Sequence, residues 1–277
     1  MKDRFDIKRF WNYFRYDNRQ MWRRNSKSLL AIAGMGLIFY VLSVVMGLVF
    51  NQAWAGPSKE VRLGIFVCAS LGLMLFQTKS YGFITDKAAG SNWLMLPASR
   101  TEKFVSMMII TLIEMPLFFV GVYTALDALE VLLDPTVNGF MFSGGKGLSA
   151  IFTEMSRNGF DIGMSPAGFW FNSYVQLCAN MLFCLLCGIC FKRNKLVGAI
   201  GIMMLCAFLG SLAFSGILHI GHIQDILNSY SDNLAGGNTA YFEHLMNTAL
   251  NIGLALNWVL AFAMGIAIYF RIKTIKH

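Results

Sequence analysis

The chain has 277 residues, of which 56% are hydrophobic and only 14% charged, with 24 phenylalanines and a positive mean hydropathy. That composition excludes an ordinary soluble domain and reads as an all-α polytopic membrane protein. The formal charge of +8 then belongs to membrane topology and attraction to anionic lipids, and no nucleic acid is expected as a partner.

Residues 1–28 form a basic aromatic arm. At 100° per residue, Ile7, Phe10, Trp11, Phe14, Met21 and Trp22 gather on one side, and Lys8, Arg15, Arg19 and Arg23 on the other. The pattern predicts an amphipathic interfacial helix along the inner leaflet, with aromatics dipped into the membrane; the plainer reading is a generic basic anchor. No cleavable signal peptide is expected, because the first apolar run is long, starts far from Met1 and lacks a small-residue cleavage pattern.

A span of about 30 Å of hydrocarbon takes about 20 helical residues. Charge-poor runs predict six spans, at Leu29–Asn51, Leu63–Gln77, Val105–Leu126, Ala167–Phe191, Leu196–Ile220 and Leu250–Phe270. The first contains Gly34, Gly36, Ser43 and Gly47, small residues that admit another helix closely, within the chain or across a dimer. With both termini inside, the inner segments carry 19 Lys and Arg and the outer loops four, so charge bias supports both the number of spans and the orientation.

Between the second and third spans lies the segment from Asp86 to Phe104. A short amphipathic piece with Trp93, Leu94 and Leu96 should stop at Pro97, which cannot continue a helix from behind. Ser99 followed by Glu102 fits a capping box, so a new helix should begin at Arg100 and run into the third span.

The third span holds Glu114, the only charged residue near the middle of any span. Its insertion costs about 3 kcal/mol, offset by flanking apolar residues, and an acid at that depth is either functional or a structural hydrogen-bonding group. Substrate passage or gating and a bond to Asn180, Gln176 or Asn257 are both open. Pro116 should kink the helix and free nearby carbonyls.

The segment 127–166 is expected outside, with 148–155 as a short amphipathic helix. Its Gly144-Gly145-Lys146-Gly147 is not a phosphate loop: Phe140 stands where a glycine is needed, and Gly147 where Ser or Thr should meet magnesium. The fourth span carries Cys184, Cys187 and Cys190 without a second ligand pair, so they read as small hydrophobes. Six cysteines without an external pair do not suggest a disulfide framework. Asn172, Gln176 and Asn180 make a polar stripe on that helix. His219, His222 and Asp225 fall roughly on one helical side at the outer surface and are the one weak candidate for a metal. The stretch 224–247, broken at Gly236-Gly237-Asn238, suggests two short external helices before the last span.

The order Gly90-Ser91, then Leu94-Met95-Leu96-Pro97-Ala98-Ser99-Arg100, resembles the cytoplasmic loop of ABC-2 type permeases, the membrane halves of a class of ATP-driven exporters. Asn92-Trp93 and Ala98 depart from the family's more usual residues. The resemblance implies that this loop is a coupling helix, with Gly90, Ser91, Trp93, Leu94, Leu96, Pro97, Ser99, Arg100 and Glu102 docking a separate ATPase subunit. It also implies that residues 1–28 are a connecting helix and 29–277 one six-span permease domain, with short helices before the last span. ATP and magnesium would sit on the partner, and this chain would bind no cofactor and carry no enzyme activity. A second permease copy or a related permease would complete the transporter, in a bacterial cytoplasmic membrane. Two other readings are weighed beside it. An intramembrane enzyme needs facing catalytic groups, and only Glu114 is present. A non-transporting membrane partner, such as a sensor or assembly factor, would use the same loop for docking.

Overall fold

The computed structural model describes residues 5–50, 56–137, 139–141, 166–192, 194–220 and 239–274, and among them the regular structure is helical throughout. Asp6 starts the first helix, α1 (Ile7–Ala33), by accepting the amide hydrogens of Lys8 and Arg9. Its buried stripe is Phe10, Tyr13, Asp17, Met21, Asn25, Leu29 and Ala33. The expected aromatic face therefore divides. Phe10 and Met21 turn into the protein, while Ile7 and Trp11 stay 73% and 50% exposed, where lipid can cover them.

No helix end falls at residue 28. The arm and the start of the first span share one helix as far as Ala33, and α2 (Met35–Val49) leaves it at 45° across Gly34. A Cβ on Gly36 would stand 3.1 Å from the Tyr123 hydroxyl, so one of the small residues serves a close approach inside the chain.

Ser58 caps α3 (Lys59–Ser80), which is longer than the apolar run that announced it and takes Arg62 into the helix instead of the outer loop. A 3-10 turn (Gly82–Thr85) leads to the short helix α4 (Lys87–Met95), which ends before Pro97 as the sequence predicts. Then α5 (Arg100–Ile109), a π-helical turn (Ile110–Glu114) and α6 (Met115–Leu133) run on as one span-length segment. The π turn takes up the irregularity that Pro116 imposes. Pro116 has no N–H to give to the Leu112 carbonyl, and the Tyr174 hydroxyl donates to that oxygen instead.

Tyr174 belongs to α7 (Pro166–Cys190), which packs along α3 and along the last helix. A Cβ on Gly188 would come within 2.7 Å of the Thr78 carbonyl, so the α3 and α7 backbones meet where only glycine fits. Cys184 and Cys187 are buried free thiols and Cys190 is exposed, with Cys184 in the apolar core.

The remaining helices are α8 (Lys195–Ile220) and α9 (Thr239–Thr274). From Thr239 onward the chain is already one helix with the last span, so the second of the two expected external helices does not exist as a separate piece: nothing between Thr239 and Thr274 breaks the hydrogen-bond ladder. The 148–155 segment, residues 144–147 and the Gly236-Gly237-Asn238 break lie outside the described residues. Among the described residues, five helices are long and apolar enough to cross a membrane, six if α1 and α2 form one bent span. This is a multi-pass membrane protein.

Two apolar clusters hold the bundle. One, around Leu29, Leu73, Met115, Phe119 and Met181, joins α1, α3, α6 and α7. The other gathers Tyr81, Ile84, Trp93, Met107, Leu185 and Ile268 where the 86–104 loop meets α5, α7 and α9.

Candidate functional site: the loop helix and its tethers

The 86–104 loop is built in three steps. Ser99 Oγ accepts the Glu102 amide at 3.2 Å while Glu102 Oε2 accepts the Ser99 amide at 2.8 Å, giving the capping box expected from the sequence. The same carboxylate binds the arm. Arg9 Nε donates to Oε2 at 2.8 Å, Arg9 Nη2 to Oε1 at 2.6 Å, and the Asp6 amide to Oε1 at 2.9 Å. Glu102 therefore fastens the start of α5 to the start of α1, with a forked guanidinium contact that fixes orientation as well as distance.

Lys103 makes the second tether. Its ammonium donates to the carbonyls of Trp93 at 2.8 Å and Leu94 at 3.1 Å, and lies 4.9 Å from the centre of the Trp93 ring. A cation on the last carbonyls of α4 satisfies groups that the helix end leaves unpaired, so α4 and α5 are joined by a side chain across the turn at Pro97. A third set reaches neighbouring elements. Lys195 Nζ donates to the Gly82 carbonyl and to Asp86 Oδ1, both at 2.7 Å, and Arg100 donates to the Lys273 carbonyl.

Trp93 is 4% exposed and sits in the second apolar cluster. It anchors α4 to its own chain, so its ring is not on the outer surface where docking would use it; apolar neighbours on α5, α7 and the 3-10 turn cover it. Leu94 and Leu96 are half-buried in the same cluster, and Gly90 is buried. Ser91 bonds back to the Ala88 carbonyl. What α4 and its turn offer outward is Ala88, Asn92, Met95, Pro97 and Arg100, with Met95 81% exposed.

Behind the loop, Asp17 of α1 is buried and accepts from Ser106 Oγ at 2.7 Å and Tyr81 Oη at 3.0 Å. Burial pushes its carboxyl above the ordinary carboxylate range, against the pull of those two hydrogen bonds and of the Arg24 charge. Arg24 itself donates to the Ser80 carbonyl at 2.5 Å and lies 3.9 Å from the centre of the Phe83 ring.

Glu114 does not meet Asn180, Gln176 or Asn257. Its partner is the Trp22 indole, which donates to Oε1 at 2.6 Å, because α1 packs against α5 and α6, the helices on either side of the π turn. Gln176 is exposed on α7, and Asn180 and Asn257 are half-buried. The side chain of His219, and all of His222 and Asp225, lie outside the described residues; no group of three potential ligands gathers among those described.

At the opposite end of the bundle Arg62 and Asp127 form an ion pair at 2.5 Å, both buried. Arg62 Nη2 also donates to the Gly139 carbonyl at 2.6 Å, and Asp127 Oδ2 accepts the Met141 amide at 2.8 Å. Glu130 is buried nearby, and Tyr40 Oη donates to Asp134 at 3.0 Å. Sequence reasoning missed this pair and Asp17 alike. For Asp17 the signal was present as the four-residue register Tyr13, Asp17, Met21, Asn25, Leu29, Ala33, which places an acid inside an otherwise apolar stripe.

Comparison of the chain with protein-family models, with curated proteins and with solved structures returns no match.

Proposed function

We propose that the chain is the permease subunit of an ABC-2 type exporter, in which α4 receives motion from a separate ATPase subunit and passes it to the third span. The observation that supports this reading is the double tether. Lys103 joins α4 to α5, and Glu102 joins α5 to the arm, so a push on α4 is carried by short, charge-assisted bonds instead of being lost in a flexible loop. The docking face is Asn92, Met95, Pro97 and Arg100, with Trp93 as the internal anchor.

ATP and magnesium belong to the partner, and this chain supplies no catalysis. A second copy or a related permease completes the pathway. The apolar windows of α8 and α9 are each only 6% buried within the chain, which leaves them for lipid and for such a partner. The arm and both termini lie on the cytoplasmic side of a bacterial inner membrane, as the distribution of Lys and Arg favours.

The test is co-purification in mild detergent of the native chain, Met95→Asp and Asn92→Lys, followed by identification of what is captured. The proposal expects an ATP-binding subunit with the native chain and its loss from both variants, whose melting temperatures stay native. Stable native protein that captures no ATPase, or captures one regardless of these changes, overturns it in favour of a non-transporting membrane partner.

A further inference from the structure

Between α1, α3 and the α5–α6 segment runs a seam of buried polar side chains that the ion pairs leave out. One rung is Asp17 with Tyr81 and Ser106. The other is the Trp22–Glu114 bond, beside which Gln77 Nε2 meets Met115 Sδ at 3.3 Å. Asn25, Gln77, Ser80 and Thr111 belong to the same three helices and are each no more than 1% exposed. Asn25 Oδ1 and Nδ2, Gln77 Oε1, Ser80 Oγ, Thr111 Oγ1 and Glu114 Oε2 are buried without a hydrogen-bond partner among the described residues.

Buried polar atoms in native proteins are paired, with protein or with ordered water. Here donors and acceptors from three helices stand unpaired beside these two rungs, with Ser80 and Thr111 between them in sequence and Asn25 one turn beyond Trp22. Water satisfies both kinds at once. Spacing agrees. From Ser106 to Glu114 is about 12 Å along the helix, with Thr111 dividing it into gaps of about 7.5 and about 4.5 Å, each within reach of one or two water molecules. The seam also passes the π turn, a helix irregularity often found at functional sites.

We propose that this seam holds a file of water molecules joining Glu114 to Asp17 and carries a proton between them. Trp22 occupies Glu114 Oε1, which leaves Oε2 as the exchanging atom. In the step, the O–H bond of protonated Glu114 breaks at Oε2, each water accepts one proton and passes one on, and an O–H bond forms on the Asp17 carboxylate. The negative charge moves from Asp17 to Glu114 and nothing else is consumed. The mouth is at Arg24, an exposed residue whose guanidinium holds the Ser80 carbonyl beside the unpaired Ser80 hydroxyl. The other titratable groups along the seam are Arg24 on α1, at the Ser80 carbonyl, and Tyr81 beyond α3, at Asp17; Glu102 and Lys103 on the α5–α6 segment are held by Arg9 and by the α4 carbonyls.

The test is infrared spectroscopy of the full chain in nanodiscs, with the Glu114 carboxyl band assigned by its absence from Glu114→Gln. On transfer from H2O to D2O the native band is expected to shift within the mixing time. Thr111→Val, which keeps the shape and removes the central hydroxyl, is expected to slow the shift by about tenfold or more, the equivalent of roughly 1.4 kcal/mol in barrier. Ser80→Ala serves as the second variant if Thr111→Val does not fold, and slows the shift in the same sense. A native protein with no carboxyl band at any pH, or a band that exchanges as fast in the folded variant as in the native chain, overturns the proposal.

Discussion

The two ends of the bundle each hold an arginine–carboxylate pair, and they are built for different work. At the 62–127 end both partners are buried and each has a second backbone partner, Gly139 for Arg62 and Met141 for Asp127. At the loop end Glu102 is buried but Arg9 is a third exposed, and the carboxylate also accepts two backbone amides. A buried pair in low dielectric locks two helices in one register. A pair with one partner in water is weaker and screened by salt, and what persists when it opens is the capping box. The first pair clamps, and the second can yield without the loop losing its shape.

Replacing Arg62 by Ala leaves Asp127 buried without its counter-charge, so the largest effect is expected there, a loss of about 3–5 kcal/mol, read as a fall in melting temperature in detergent. Removal of both charges in Arg62→Met with Asp127→Leu should recover part of it, because the uncompensated charge is gone while the Gly139 carbonyl and Met141 amide stay unsatisfied. Glu102→Ala comes next. It deletes the reciprocal half of the capping box and the arm contact together, a loss of about 1–2 kcal/mol, and should increase proteolysis within 1–9 and 86–99 before the bundle itself opens. Arg9→Ala is expected to be milder than Glu102→Ala, since the capping box survives it, and its difference from the native chain should shrink with added salt. If Arg9→Ala equals Glu102→Ala, the contrast between the two ends fails.

The smallest effect is a slope with pH. Asp17 has a folded pKa above its ordinary value of about 4, so the native state holds that proton more tightly than the unfolded chain. The resulting stabilisation is complete below the unfolded pKa and is lost as pH rises through the folded one. The stability of the native chain minus that of Asp17→Asn should therefore fall as pH is raised from about 4, measured by thermal melts of both proteins.

Much of this was legible from residues alone, for reasons that can be named. Apolar runs give spans because lipid leaves no alternative to a hydrogen-bonded helix, and Ser99, Glu102 and Pro97 act through local backbone geometry that needs no tertiary context. The basic arm and the intramembrane Glu114 were visible for the same reason. Partners were not. Glu114 faces Trp22 because of how α1 lies on α6, Trp93 turns inward because α5, α7 and the 3-10 turn cover it, and Gly188 is required because the α3 backbone crosses there. Arg62 and Asp127 fall at the ends of apolar windows, where averaged hydropathy assigns charges to loops, although each neutralises the other inside the fold.

If the two tethers work as described, α4 and the start of α5 move as one body, and hydrogen exchange of the full chain in nanodiscs tests this most directly. Residues 87–96 and 99–106 are predicted to open together with one common free energy in the native protein, and Lys103→Met, which removes the bonds to the Trp93 and Leu94 carbonyls, should let 87–96 exchange separately and faster. Independent opening of the two segments in the native chain, or an 87–96 segment as well protected in Lys103→Met as before, would contradict it.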